Sequence, residues 1–141
     1  MQLRRKRRKA LLHAKHEAEA AWQSLEDGDL LLAERQITRA VAAAEHSAPM
    51  WTDYARILVR LGKLQEAEKA ARNALVLDRD YAEAHTGMAE VFASMGHFME
   101  AHRSQARAVR LQPGLFLYRE LLAQYEAALP VDEEDFPVSA E

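Results

Sequence analysis

The residues of this chain best equipped for chemistry are cations, histidines and a few aromatics. Arg4, Arg5, Lys6, Arg7, Arg8 and Lys9 form an unbroken basic run. Six neighbouring cations can contact phosphates, giving strongly salt-dependent nucleic-acid binding. They can also sit on an anionic membrane at about 1 kcal/mol per base, or simply extend a helix as solvated or protein-contacting charge. No aromatic interleaves the run for base stacking, so the last reading is favoured. His13 and His16 stand at i, i+3 beside Glu17 and Glu19, a weak signal next to real zinc spacings. No metal site is expected there. The chain has no Gly-rich phosphate loop and no G-x-S-x-G, and the His16-Glu17 pair runs on to Ala20 where H-E-x-x-H needs histidine. The sequence thus predicts no catalytic residues, no cofactor and no enzymatic activity.

A second set of residues stands out by spacing. Trp22, Arg56 and Glu90 lie 34 residues apart. Tryptophan and arginine are favoured anchors of binding surfaces, and an aromatic, a cation and an acid in series could receive a segment with an apolar residue and a charge. The same interval separates Gly28, Gly62 and Gly96, and alanines recur with it at 21, 55 and 89, at 33, 67 and 101, and at 40, 74 and 108. A period of this length marks a repeating supersecondary unit, and stacks of such units are normally solenoids that bind.

Composition sets the limits. A chain of 141 residues is about one domain, and 49% apolar with 29% charged residues is a globular balance. With no cysteine, disulfides and thiolate metal sites are excluded, which fits a reducing, cytoplasmic setting. The net charge of −3 conceals an asymmetry: residues 1–15 hold seven bases and no acid, and the remainder is acidic, ending in Asp132, Glu133, Glu134 and Asp135. The apolar stretch after the basic run is only Ala10-Leu11-Leu12, too short for a signal peptide.

With the glycines setting the register, three units run over 14–47, 48–81 and 82–115, each read as helix, short turn, helix. Trp51, Tyr54, Leu58 and Leu61 fall on one face of the middle unit's first helix. Gly62 ends that helix, because glycine enters the left-handed conformation without a Cβ penalty. Ser47 before Ala48-Pro49 reads as a cap ahead of an early-helix proline, and Asp78 and Asp80 read as caps of the helix opening near Ala82. Leu117, Tyr118, Leu121, Leu122 and Tyr125 make one more amphipathic helix over about 116–129, a cap for the last apolar end face. Residues 1–13 read as a basic arm extending the first helix, and 130–141 as an acidic, flexible tail.

Trp51, Tyr54, Ala55, Leu58, Gly62, Ala67 and Ala74, with Met88, Ala89, Phe92, Gly96, Ala101, Ala108 and Pro113 in the next unit, make a pattern that resembles the tetratricopeptide repeat. The resemblance covers about 14–115 and implies an all-α fold, a right-handed α-α superhelix of three helix-turn-helix repeats with a capping helix. The first unit departs from the family pattern, with Glu17 in place of the large aromatic, and His85 replaces that aromatic in the third.

In this family the first helix of each pair lines a concave groove, so the resemblance implies a protein-binding adaptor whose groove includes Trp22, Thr52, Arg56, Val59, Thr86 and Glu90. The plain alternative for Trp22 is packing beneath the arm. Some relatives grip acidic heat-shock chaperone termini with lysine, asparagine and arginine; the matching places here hold Ala18, Trp22, Asp53, Glu83 and Gly87, which argues against that partner. Nucleic acid or an anionic membrane held by the arm, and self-association into a homo-oligomer, stand as alternatives.

Overall fold

In the computed structural model residues 1–131 are described; the acidic tail, from Asp132 onward, lies outside them. Seven helices follow one another: α1 (Gln2–Glu26), α2 (Leu30–Ala43), α3 (Ala48–Arg60), α4 (Leu64–Leu77), α5 (Ala82–Ser94), α6 (Phe98–Leu111) and α7 (Phe116–Ala127). No strand occurs among the described residues. Helices α1–α2, α3–α4 and α5–α6 pair as antiparallel hairpins, the hairpins stack in chain order, and α7 packs on α6.

One turn is used three times. Gly28, Gly62 and Gly96 have φ of 83°, 78° and 81°, a conformation that only glycine adopts cheaply. After each, the next amide reaches back: Asp29 N–H donates to the Ser24 carbonyl at 2.9 Å, Lys63 to Leu58 at 2.9 Å and His97 to Phe92 at 2.8 Å. Each glycine N–H in turn donates to the third carbonyl before it, that of Leu25, Val59 or Ala93. This bond pair closes a helix and redirects the chain at a fixed angle, so three equal turns produce three equal hairpins.

Packing within and between hairpins rests on small residues. All nine recurring alanines have no exposed surface. Between them sit two clusters of larger side chains, Ile37, Met50 and Ile57 in one, Leu58, Met88 and Val91 in the other. Trp51, Tyr54 and Leu61, expected in the core stripe, are only partly buried and bridge both clusters, while Ile57 is buried completely. Helix entry also differs at one point. Asp78 closes a turn on the Asp80 N–H at 3.0 Å, and the N-cap of α5 is Tyr81 with no side-chain bond.

The two ends are unlike. Helix α1 is 25 residues long and α2 only 14, so residues 2–12 project beyond the hairpin. No acid occupies the first turn of α1, and Arg4 and Arg5 crowd its positive end, a placement costing about 0.3–1 kcal/mol per base at low salt. At the other end α7 has no fully buried residue, and Phe116 and Leu117 are more than half exposed. The cap therefore covers α6 with one side only. No helix among the described residues is long and apolar enough to cross a membrane.

The nine alanines supply a direct check. Ala67→Leu or Ala101→Leu should lose about 1–3 kcal/mol in urea unfolding by overpacking the helix contact, whereas Ala42→Leu on the exposed side of α2 should be close to neutral. Equal effects at buried and exposed sites would refute the close-approach account.

Candidate functional site

Helices α1, α3 and α5 stand side by side, with α3 packed on both neighbours. Gly87 on α5 faces α3, where a Cβ would stand in ordinary contact, 3.4 Å from Thr52 Cγ2 and 3.7 Å from Arg56 Cγ. The Arg56 stem therefore passes over the α5 backbone, and its head group reaches residues on both sides. Its guanidinium carbon lies 5.5 Å from the centre of the Trp22 ring on α1. Arg56 Nε donates to Glu90 Oε2 at 3.1 Å, and Nη1 to Glu83 Oε1 at 3.3 Å. Tyr81, just before α5, donates its hydroxyl to the other Glu83 oxygen at 2.6 Å. Trp22, Arg56 and Glu90 are thus in direct contact as a row across three helices.

The row is part of a wider acidic surface. Asp53 sits one turn before Arg56, and burial, reinforced by the Glu83 carboxylate, pushes its carboxyl up to about 6, with Trp22 and Arg56 pulling partly back. Burial works against the charge on Arg56, but Glu90, Glu83 and Asp53 outweigh it and hold the guanidinium firmly protonated. Burial raises the hydroxyls of Tyr81, Tyr118 and Tyr125, helped by Glu83 for the first two and by Glu90 for the third. Tyr118 and Tyr125 of α7 therefore face the same charges as Arg56. Two carboxylates contact the guanidinium and a third, Asp53, adds its charge nearby, with the Trp22 ring on the α1 side. Half-exposed side chains keep the network open to solvent, Arg56 at 26% and Glu83 at 40%, where such ion pairs add only about 0–1 kcal/mol of stability.

Thr52 and Thr86 require correction. Both were expected on the groove surface, and both are buried. The side of each first helix that looks toward the next is an interface between hairpins rather than open groove. Thr52 donates its hydroxyl to the Ala48 carbonyl at 2.9 Å, and Thr86 is covered beside Tyr118. Val59 is partly buried against the second core cluster. The basic run Arg4–Lys9 lies wholly exposed along α1, and among the described residues none of its six side chains forms an ion pair. His13 Nε2 and Glu17 Oε1 approach to 3.8 Å, and among the described residues no three metal-ligating side chains come together.

Other features escaped sequence reasoning. Tyr118 and Tyr125 read as the cap's apolar stripe, and nothing in the spacing marks them as groove residues. His85, which stands where the family pattern has a large aromatic, is buried and bonds through Nε2 to the Arg79 carbonyl at 2.8 Å, tying α5 to the loop after α4. Since a carbonyl only accepts, Nε2 carries the proton. On the other side of α5 a cleft of about 850 Å³ is lined by Arg72, Arg79, Arg107 and Arg110 over Leu75 and Met88. Its arginines come from α4, the loop after it and α6, and their spacing along the chain does not mark them as neighbours.

A family model described as Tetratricopeptide repeat matches residues 48–91. Among solved structures, the first TPR domain of the human RPAP3 protein superposes with a TM-score of 0.73 at 22% identity, over 82% of this chain and 91% of that one. The first TPR of Spaghetti (RPAP3), bound to the HSP90 peptide SRMEEVD, matches at 0.73 and 22%, covering 84% and 96%. The second TPR domain of human RPAP3, in complex with the HSP70 peptide SGPTIEEVD, matches at 0.69 and 22%, covering 85% and 98%. No curated protein matches the chain in sequence. At these identities the structural likeness establishes the fold and leaves the ligand open.

Asp53 makes the electrostatics testable. The folded chain binds its proton more tightly than the unfolded chain, so stability falls as pH rises from the ordinary 3.8 towards 6, and the full cost is present above that. Linkage puts the cost at no more than about 3 kcal/mol, and solvent screening brings it nearer about 1 kcal/mol. Asp53→Asn should therefore stabilise the chain in thermal unfolding at about pH 8 and lose that advantage at about pH 4. A gain independent of pH would count against the assignment.

Proposed function

Because a tetratricopeptide repeat model matches residues 48–91 and the seven helices have the fold of tetratricopeptide repeat domains, we propose that the chain is a non-enzymatic adaptor that binds a protein segment along its concave face. The observation that carries this reading is the contact row of Trp22, Arg56 and Glu90, with Arg56 held 5.5 Å from the indole centre and 3.1 Å from the carboxylate. Such a row offers an aromatic face, a cation and an acid in fixed order. Its members come from three hairpins, so their positions depend on the stacking and are rigid before a partner arrives. Preorganised groups lose little freedom on binding, which is what allows a short segment to bind at useful strength.

Charge narrows the class of segment. The HSP90 and HSP70 peptides bound by the structural neighbours carry two glutamates and an aspartate at their ends. Here Asp53, Glu83 and Glu90 face the groove and Arg56 is already engaged by two of them. An acidic peptide would meet repulsion and would have to displace an internal partner from the guanidinium. We therefore place acidic chaperone termini outside the partner class.

Two measurements check this. Crosslinking pulldown with the wild-type chain and with Trp22→Ala/Arg56→Glu should show partner proteins lost by the variant, while circular dichroism shows both folded alike; an unchanged partner set would remove the groove as the site. Titration with SRMEEVD should give a Kd weaker than about 1 mM, and saturable binding tighter than that would overturn the charge argument.

A further inference from the structure

On α1 projects a basic run whose side chains form no ion pair among the described residues, and on α3 and α5 Asp53, Glu83 and Glu90 gather around Arg56. We infer that these two surfaces are complementary, and that the basic run Arg4–Lys9 of one copy docks on the concave face of a second copy. This rests on the reading of that face as a binding surface and names its occupant.

Docking within one molecule is ruled out by the helix itself. Helix α1 runs without interruption from Gln2 to Glu26, and no glycine or proline occurs in it. Trp22 of the groove row and the basic run belong to this one rigid rod, the run lying about 20 Å away at 1.5 Å per residue. The run points away from its own groove and cannot fold back without breaking the helix. A second copy meets no such restriction.

The two surfaces match in charge, chemistry and size. Six bases without an acid stand on the arm, against Asp53, Glu83 and Glu90 around Arg56 on the groove. The arm also carries apolar groups, with Leu3 at 63% and Leu12 at 50% exposure. Trp22, Tyr118 and Tyr125 offer aromatic surface for them beside the carboxylates. The projecting residues 2–12 span about 16 Å as a helix. Adjacent packed helices lie about 8–10 Å apart, so the face across α1, α3 and α5 is about 16–20 Å wide and accommodates the arm. Anionic surroundings would also offset the crowding of Arg4 and Arg5 at the positive end of α1. Mutual exchange between two copies closes as a symmetric dimer.

Sedimentation equilibrium of the full chain tests this. The wild type should associate at about 0.05 M salt and weaken at least about tenfold at about 0.5 M salt, because the contact is made by partly exposed charges. Arg5→Glu/Arg8→Glu and, separately, Glu83→Lys should each be monomeric while remaining folded by circular dichroism. Mixed together, the two variants should associate again through one contact, since the unaltered arm of the Glu83→Lys chain still fits the unaltered groove of the arm variant. A monomeric wild type at low salt, or an arm variant that associates like the wild type, would overturn the inference. So would a monomeric wild type whose arm instead retains nucleic acid or phosphatidylserine vesicles. Capture of partners through Trp22 and Arg56 is read separately: if it persists in a chain that never self-associates, the groove reading stands and only its proposed occupant falls.

Discussion

Close approach of helices at alanine is the constraint on which the rest of this structure depends. Nine alanines at one interval have no exposed surface, and each lets a neighbouring helix come nearer than a larger side chain would permit. Interiors packed at crystal-like density do not absorb added methylenes without shifting backbone. The helix axes are therefore placed by these nine positions, and the bulky residues Ile37, Ile57, Leu58 and Val91 fill the gaps that remain. Three equal turns at Gly28, Gly62 and Gly96 repeat the geometry. Equal turns and equal contacts make a stack whose concave side presents one position from every hairpin.

The row of Trp22, Arg56 and Glu90 inherits its order from that stack. Arg56 reaches Trp22 on one side and Glu90 on the other, its stem lying beside Gly87 of α5. A helix-interior glycine costs about 1 kcal/mol relative to alanine. At this position the lost propensity accompanies an ion network that links three hairpins. The network is acidic on balance, and burial leaves Asp53 reluctant to ionise.

Much of this was legible in the sequence, and the misses share one cause. Period and turn chemistry located the hairpins, since Gly62 and its counterparts act within a few residues of chain. The same period brought Trp22, Arg56 and Glu90 to one position, and they are in contact. Thr52 and Thr86 were misplaced because a helical face that looks polar in one helix can be covered by the next hairpin. Tyr118 and Tyr125 were missed for the converse reason: rings that read as apolar stripe turn toward Glu83, Glu90 and Arg56. Burial depends on neighbours that a single helix does not specify.

By itself, then, the sequence determined the repeat, the turn type, the all-helical class and the basic arm, because each follows from local residue chemistry or from spacing along one chain. Tertiary structure alone decided which polar residues are covered, how Arg56 is shared between Glu83 and Glu90, and the net sign of the concave face. Those outcomes depend on distances between helices that are far apart in sequence. Such distances come into being only when the hairpins stack.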